Sequence, residues 1–423
     1  MRATSSAWIP DEEIEESEED EDWSDDEDVS WKVRRSCAKC FDAIILSPYG
    51  ADHQNLAKLS ETLLTRFKER EESVLLEILA TFKTLIKKSG MNLNRIVNEQ
   101  PFTNHSIRLL KSKKSKVVVN MINNLSVSVE SCPEFLNQSY GRILPMLADL
   151  MKNTSETSIR LDVINFFRAI SKKIDDESLI RDCSEIILPA LETSIHDSYY
   201  LIVAEALRVV QNLINKGAKP HPPTCQAAFA KLRVTDMDQE VKDAAILCVG
   251  VLLSKGAFEA GDQKSALEVL IQRISNEMTR LSAVKSIQTT MNNSQIKARF
   301  KTFPPLYRKN GYFTIGSIPL KEYFEPTKGI IAGLIASEVP TIASFLRKNQ
   351  RPLRVSSLNL LGSLIQNGLT NCDDVLVELP QLINEQDLHV AQLGKFLTDL
   401  IVFHGVFSDA FGGFGIRSKN INK

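Results

Sequence analysis

The sequence predicts an all-α protein, a solenoid of stacked helix pairs. An apolar stripe with helical spacing recurs nine times along 423 residues. The recurrences fall about 40 residues apart, the length of two helices and their turns. No segment shows a convincing strand alternation.

The first stripe lies in SWKVRRSCAKCFDAII, where Val33, Cys37, Cys40, Phe41, Ile44 and Ile45 fall at offsets 0, 4, 7, 8, 11 and 12. That spacing is one face of a helix. Lys32, Arg35, Lys39 and Asp42 form the opposite, solvated face, and Ser30 is placed to cap the start. The later stripes start at Val74, Val117, Ile159, Tyr200, Val241, Arg280, Leu353 and His389, at intervals of 41, 43, 42, 41, 41, 39, 73 and 36 residues. A second amphipathic stretch precedes most of them, clearest in KLSETLLTRFKERE, GRILPMLADLMKNTS, ALEVLIQRISNE and EVPTIASFLRKNQ. One such hairpin cannot bury its own apolar face, whereas stacked neighbours form a continuous core. The expected architecture is therefore a HEAT/armadillo-type α-solenoid of about nine helix-pair repeats.

The interval of 73 exceeds the others by about one helix pair. It contains KARFKTFPPLYRKNGYFTIGSIPLKEYFEPTKG, rich in Pro, Gly and aromatics and without helical periodicity. Residues 299–331 are read as an irregular insertion, with translated non-coding sequence as the open alternative. The Gly-rich end, 405–423, poses the same choice. The expected organisation is an acidic tail at 1–28, repeats at 29–298, the insertion, repeats at 332–404, and the Gly-rich tail.

Charge is divided unevenly. Fourteen of the eighteen residues from Asp11 to Asp28 are acidic, so residues 1–28 carry −13 and the remainder +11, although the whole chain carries −2. Such a run cannot bury enough apolar area to offset its ordering entropy, and a disordered tail is expected. It could shield the basic body or imitate an acidic partner, against the plainer reading of a solubilising loop. Ser17 and Ser24, each followed by acids, would suit an acid-directed kinase. The most apolar run, Ile330–Ala336, is too short for a spanning helix. Seven cysteines without framework spacing and an N-terminus without an apolar signal core lead to an expected cytoplasmic and nuclear setting.

Little in the sequence suggests chemistry. Cys37-Ala-Lys-Cys40 is a lone CxxC without a second pair at zinc spacing, and both cysteines are expected on the buried stripe. The six histidines are scattered, and His389 takes a repeat anchor position. P-loop, nucleophile-elbow, metalloprotease and kinase motifs are absent from the sequence. No catalytic residue, metal site or cofactor is expected, and no small-molecule substrate. The basic KSKKSK (111–116) reads as a solvated turn between two helices, or else as a nuclear-import or nucleic-acid patch. FLRKNQRPLR sets Arg347, Lys348 and Arg351 at another turn, and these are the candidate protein-binding residues. A ladder of basic turns along one edge would guide an acidic partner.

Several strings resemble the cullin-associated, neddylation-dissociated proteins, HEAT-repeat regulators of cullin-RING ubiquitin ligases. They are DDEDVSWKVRRSCAKCFDAI, LLTRFKEREESV, VTDMDQEVKDAAILCVG, NEMTRLSAVK and ASFLRKNQRPLR, and the resemblance covers about residues 18–404. In that family the acidic run is an internal loop, so the resemblance implies an internal part of a longer protein. It implies cullin and RING-box protein as partners, bound in the form lacking the ubiquitin-like modifier, with neither nucleic acid nor membrane involved. It further implies regulation of SCF-type ligase assembly and of substrate-adaptor exchange, without catalysis. An importin-type nuclear transport receptor, also a HEAT solenoid that can carry an acidic loop, or another HEAT scaffold such as a phosphatase scaffold, is the alternative. Capture of nucleotide-loaded Ran would distinguish the transport receptor.

Overall fold

The computed structural model describes residues 30–291, 307–309, 312–314, 334–335, 337–366, 375, 378, 382 and 386–411. The acidic run and the Gly-rich end lie outside the described residues, except for the helical backbone of 405–411. Apart from one short hairpin, the described residues form an α-solenoid.

Among the described residues seven of the nine recurrent stripes are the second helix of a pair, and all nine are helices. These helices are α1 (Ser30–Leu46), α3 (Glu72–Ser89), α6 (Ser115–Ser131), α8 (Thr157–Lys173), α10 (Tyr200–Asn215), α12 (Gln239–Ser254), α14 (Arg280–Met291), α16 (Arg351–Gln366) and α17 (Leu388–Phe411). Every expected anchor falls within the first four residues of its helix. Seven second helices have a first helix among the described residues: α2 (His53–Thr65), α5 (Glu99–Leu110), α7 (Tyr140–Asn153), α9 (Glu177–Ile195), α11 (Pro222–Arg233), α13 (Ala260–Ser275) and the short α15 (Val339–Ser344). A one-turn helix, α4 (Leu93–Ile96), leads into α5.

Second helices pack on one another in sequence from α1 to α17, first helices do the same beside them from α2 to α13, and the core runs unbroken between the two rows. The termini are fixed locally. Asp52, Asn98, Asp176 and Asp238 each accept a backbone N–H two residues on, capping α2, α5, α9 and α12. At the far end of α10, Gly217 has φ +96°; its N–H reaches Ile214 O and that of Ala218 reaches Leu213 O. Gly256 repeats the arrangement after α12. This paired closure satisfies orphan carbonyls and requires a left-handed residue, which glycine supplies without steric cost.

Aromatic rings tie the first layers together. Phe67, Phe82, Phe102 and Phe135 are buried and form a run with centroid separations of 5.1, 5.5 and 5.6 Å. Between layers, polar side chains reach backbone carbonyls across the interface: Thr81 to Ala38, Asn124 to Leu79, Ser286 to Ile246 and Thr290 to Gly250. Such bonds let helices approach closely while satisfying these buried donors, although Asn124 Oδ1 stays buried without a partner.

Helix α14 packs directly on α16, two helices separated in sequence by the long interval. Within that interval, β1 (Tyr307–Lys309) pairs antiparallel with β2 (Tyr312–Thr314) in the register Tyr307↔Thr314. Strands of three residues are too short for alternation to reveal them in a sequence. Because the α14–α16 contact already closes the stack, deleting 299–331 is expected to preserve helicity and to shift the thermal midpoint by no more than about 2 °C. Circular dichroism and a melting curve check this; a fall of ten degrees would place the segment in the core.

Two expectations need correction. Helix α1 was expected to bury its whole stripe, yet Val33 is 64% exposed, Ile44 is 38% exposed, and Cys37 and Cys40 are both exposed. Only Ala38 and Ile45 are buried, with Trp31 and Phe41 packed beside them. A stripe this wide serves two neighbours, and among the described residues α1 has only α3 along its length. The anchors also drift at the later repeats. Tyr200 and His389 are exposed and Arg280 is half-buried, while Ile202, Val390 and Ala283 are buried in their place.

Candidate interaction surface

The solvated surfaces are the exposed sides of the first and second helices and the two edges formed by the turns. On the first edge lie the turns that run from first to second helix. Arg34, one turn into α1, places Nε 3.0 Å from Glu69 Oε2 in the next such turn. Arg108 Nη2 donates to Phe67 O at 2.7 Å, and Lys114 Nζ donates to Arg70 O at 3.3 Å. Ser115 Oγ donates to Glu156 one layer further on. The turns therefore stack in register along the edge, and KSKKSK occupies one of them.

The three candidate residues sit on this edge too, in different circumstances. Arg347 donates to both carboxylate oxygens of Glu378, Nε to Oε2 and Nη2 to Oε1, each at 2.6 Å. Glu378 is buried. Arg351 Nε donates to Asp387 Oδ2. That carboxylate also accepts the His389 and Val390 N–H groups at 3.0 and 3.3 Å, so it caps α17. The bond to Arg351 holds the Asp387 carboxyl below the ordinary range against the opposing effect of desolvation, and the backbone bonds add to the lowering. Arg347 and Arg351 thus join successive layers, whereas Lys348 is exposed and makes no ion pair among the described residues. Reversing Arg351 would set a second carboxylate against Asp387, so Lys348 alone allows a clean charge-reversal test of the three.

The sequence reading missed a relay of ion pairs on the second helices. Arg168 of α8 faces Glu205 of α10 at 3.4 Å; Arg208 binds Glu205 at 2.6 Å and Glu240 of α12 at 2.7 Å. Arg168–Glu205 spans 37 residues and Arg208–Glu240 spans 32, so no regular offset in the sequence signalled the relay. Nearby, burial raises the Asp162 carboxyl pKa, partly offset by a hydrogen bond from Asn165 and the charge of Lys83. On the edge itself, Arg160 Nε lies 2.9 Å from Asp197 Oδ2 but is not aligned as a hydrogen bond, so the contact is electrostatic.

Among the described residues, no group of three or more His, Cys, Asp or Glu side chains could hold a metal ion. Cys132, Cys183, Cys225 and Cys248 are buried, and burial pushes the Cys183 thiol to about 12 and Cys225 to about 11, far from the reactive thiolate range. Cys372 lies outside the described residues. No described helix is long and apolar enough to cross a membrane.

A continuous helical solenoid with a charged edge defines a repeat scaffold, a class whose extended surface engages other macromolecules. Comparison with known proteins narrows the class. A family profile described as "CAND1-like, TPR repeats" matches residues 130–249. The mouse cullin-associated NEDD8-dissociated protein 2 is 32% identical over 415 residues, covering 89% of this chain and 31% of that protein. The fruit-fly (Drosophila melanogaster) cullin-associated NEDD8-dissociated protein 1 is 27% identical over 419 residues, covering 90% of this chain and 31% of that protein. Among solved structures, an engineered protein superposes with a TM-score of 0.47 at 12% identity, covering 88% of this chain and 96% of that one, too loose a likeness to carry an argument. The chain resembles an internal part of the cullin-associated NEDD8-dissociated proteins, and it spans about a third of the length of the relatives it matches.

Proposed function

We propose that this chain is part of a non-catalytic scaffold that binds cullin–RING-box cores lacking NEDD8, and thereby regulates cullin-RING ligase assembly and adaptor exchange. The observation that carries the reading is similarity over 89% of the chain to a protein named for cullin association and NEDD8 dissociation. The described surface supports it: an extended, ion-paired repeat face without a metal-binding cluster suits steric work on an elongated partner. The proposed setting is cytoplasm and nucleus, as expected from cysteines without framework spacing.

The test is a competition assay with labelled adaptor on an unmodified cullin–RING-box complex. Engagement through several linked surfaces exceeds single-surface affinity by about 10²–10⁴. Since the chain spans about a third of its relatives, it is expected to bind the core more weakly than a full-length relative by about that factor. Binding should decline with salt, and a bound adaptor should stay in place. Efficient displacement would refute the single-surface argument. Absence of cullin binding, with capture of nucleotide-loaded Ran, would favour the transport receptor.

A further inference from the structure

Arg347 and Arg351 are committed to Glu378 and Asp387. The most concentrated basic feature left on the first edge is the turn from α5 to α6. Arg108, Lys111, Lys113, Lys114 and Lys116 are all exposed, and no acid interrupts them in the chain between residues 108 and 116. Among the described residues none of the five forms an ion pair; Arg108 and Lys114 spend one donor each on backbone oxygens. Three of the acids on the neighbouring turns are already engaged. Glu69 pairs with Arg34, Glu71 accepts the Ser73 N–H at the start of α3, and Glu156 accepts from Ser115. The local field is positive: His105 sits below its ordinary pKa through burial and the charges of Arg108 and Lys68.

The chain carries one segment of opposite character, the run from Asp11 to Asp28, with fourteen acids in eighteen residues. It precedes α1, whose Ser30 opens the helix and whose Arg34 touches the turn at residue 69. The run therefore joins the edge two layers from the α5–α6 turn. Helix layers are about 10 Å apart, and eighteen residues reach up to about 60 Å, so the distance is no obstacle.

We infer that the basic turn Arg108–Lys116 is the docking surface of this chain's own acidic run, residues 11–28, bound in cis. The run covers the strongest anion-attracting point on the edge. An acidic partner must displace it, and salt weakens the cover. Phosphorylation of Ser17 or Ser24 would tighten it by adding charge. The inference is independent of the cullin reading.

The experiment uses the full chain. A carbodiimide joins carboxylates directly to amines in contact, and peptide mapping locates the links. Links from residues 11–28 are expected to concentrate on Lys111, Lys113, Lys114 and Lys116 within one molecule, and to fall at least fivefold in 0.5 M salt. Links scattered over the exposed lysines, links to the opposite edge at Lys87, Lys88 or Lys172, or links only between isotopically distinguished copies would each overturn it. A second readout needs no lysine chemistry. An 18-residue polyglutamate peptide should bind the parent about tenfold more weakly than a variant with the fourteen acids changed to Asn and Gln, because the run competes at a millimolar effective concentration. Equal affinities would overturn it as well.

Discussion

Replacing Gly250 with valine is expected to destabilise the protein by about 3 kcal/mol, through overpacking between α12 and α14. A Cβ built on Gly250 would lie 2.1 Å from Ser286 Oγ and 2.9 Å from its Cα. A hydroxyl could rotate away; a neighbouring helix backbone cannot. The helices would separate, stretching the bonds from Ser286 to Ile246 O and from Thr290 to Gly250 O, now 2.8 and 3.2 Å. Urea denaturation measures the loss, and faster hydrogen exchange in 239–291 locates it. Gly141 is the control: it lies in α7, exposed, and an added Cβ would meet nothing within 4 Å. Gly141→Ala should be neutral or stabilise by about 0.5 kcal/mol. A Gly250→Val variant as stable as the parent would show that the two helices tolerate a wider spacing.

Truncating Phe82 to alanine is expected to cost about 4 kcal/mol. The ring is fully buried, stands edge-on to Phe67 at 5.1 Å and stacks on Phe102 at 5.5 Å with 13° between planes. The vacated volume touches both rows of helices, so no single side chain can fill it. Because a solenoid is stabilised layer by layer, hydrogen exchange should accelerate across 53–135 and change little across 200–291. Uniform acceleration would show that the stack unfolds as one cooperative unit. Loss below about 1 kcal/mol would show that neighbouring side chains refill the site.

The electrostatic picture changes the reading of the basic residues. Local charge density in the sequence put Arg347, Lys348 and Arg351 together as a binding cluster. Tertiary packing divides them, because Glu378 and Asp387 are 31 and 36 residues away in the chain yet come from the next layer. Ion pairing between layers is invisible to any window shorter than one repeat. The relay of Arg168, Glu205, Arg208 and Glu240 escaped for the same reason.

The sequence by itself determined the fold class, the position of every second helix and the period of the stack, since helical amphipathicity is local and repeats. The intervals near 41 residues place Val74, Val117, Ile159 and Val241 at buried starts of α3, α6, α8 and α12 without help from distant contacts. Only the tertiary structure decided which apolar residues are covered and which charges remain available. Val33 and Ile44 belong to a stripe indistinguishable from the others, but burial requires a neighbour on each side, and α1 has α3 alone among the described residues. Burial and ion pairing are properties of contact between layers, and contact is what a one-dimensional pattern leaves open.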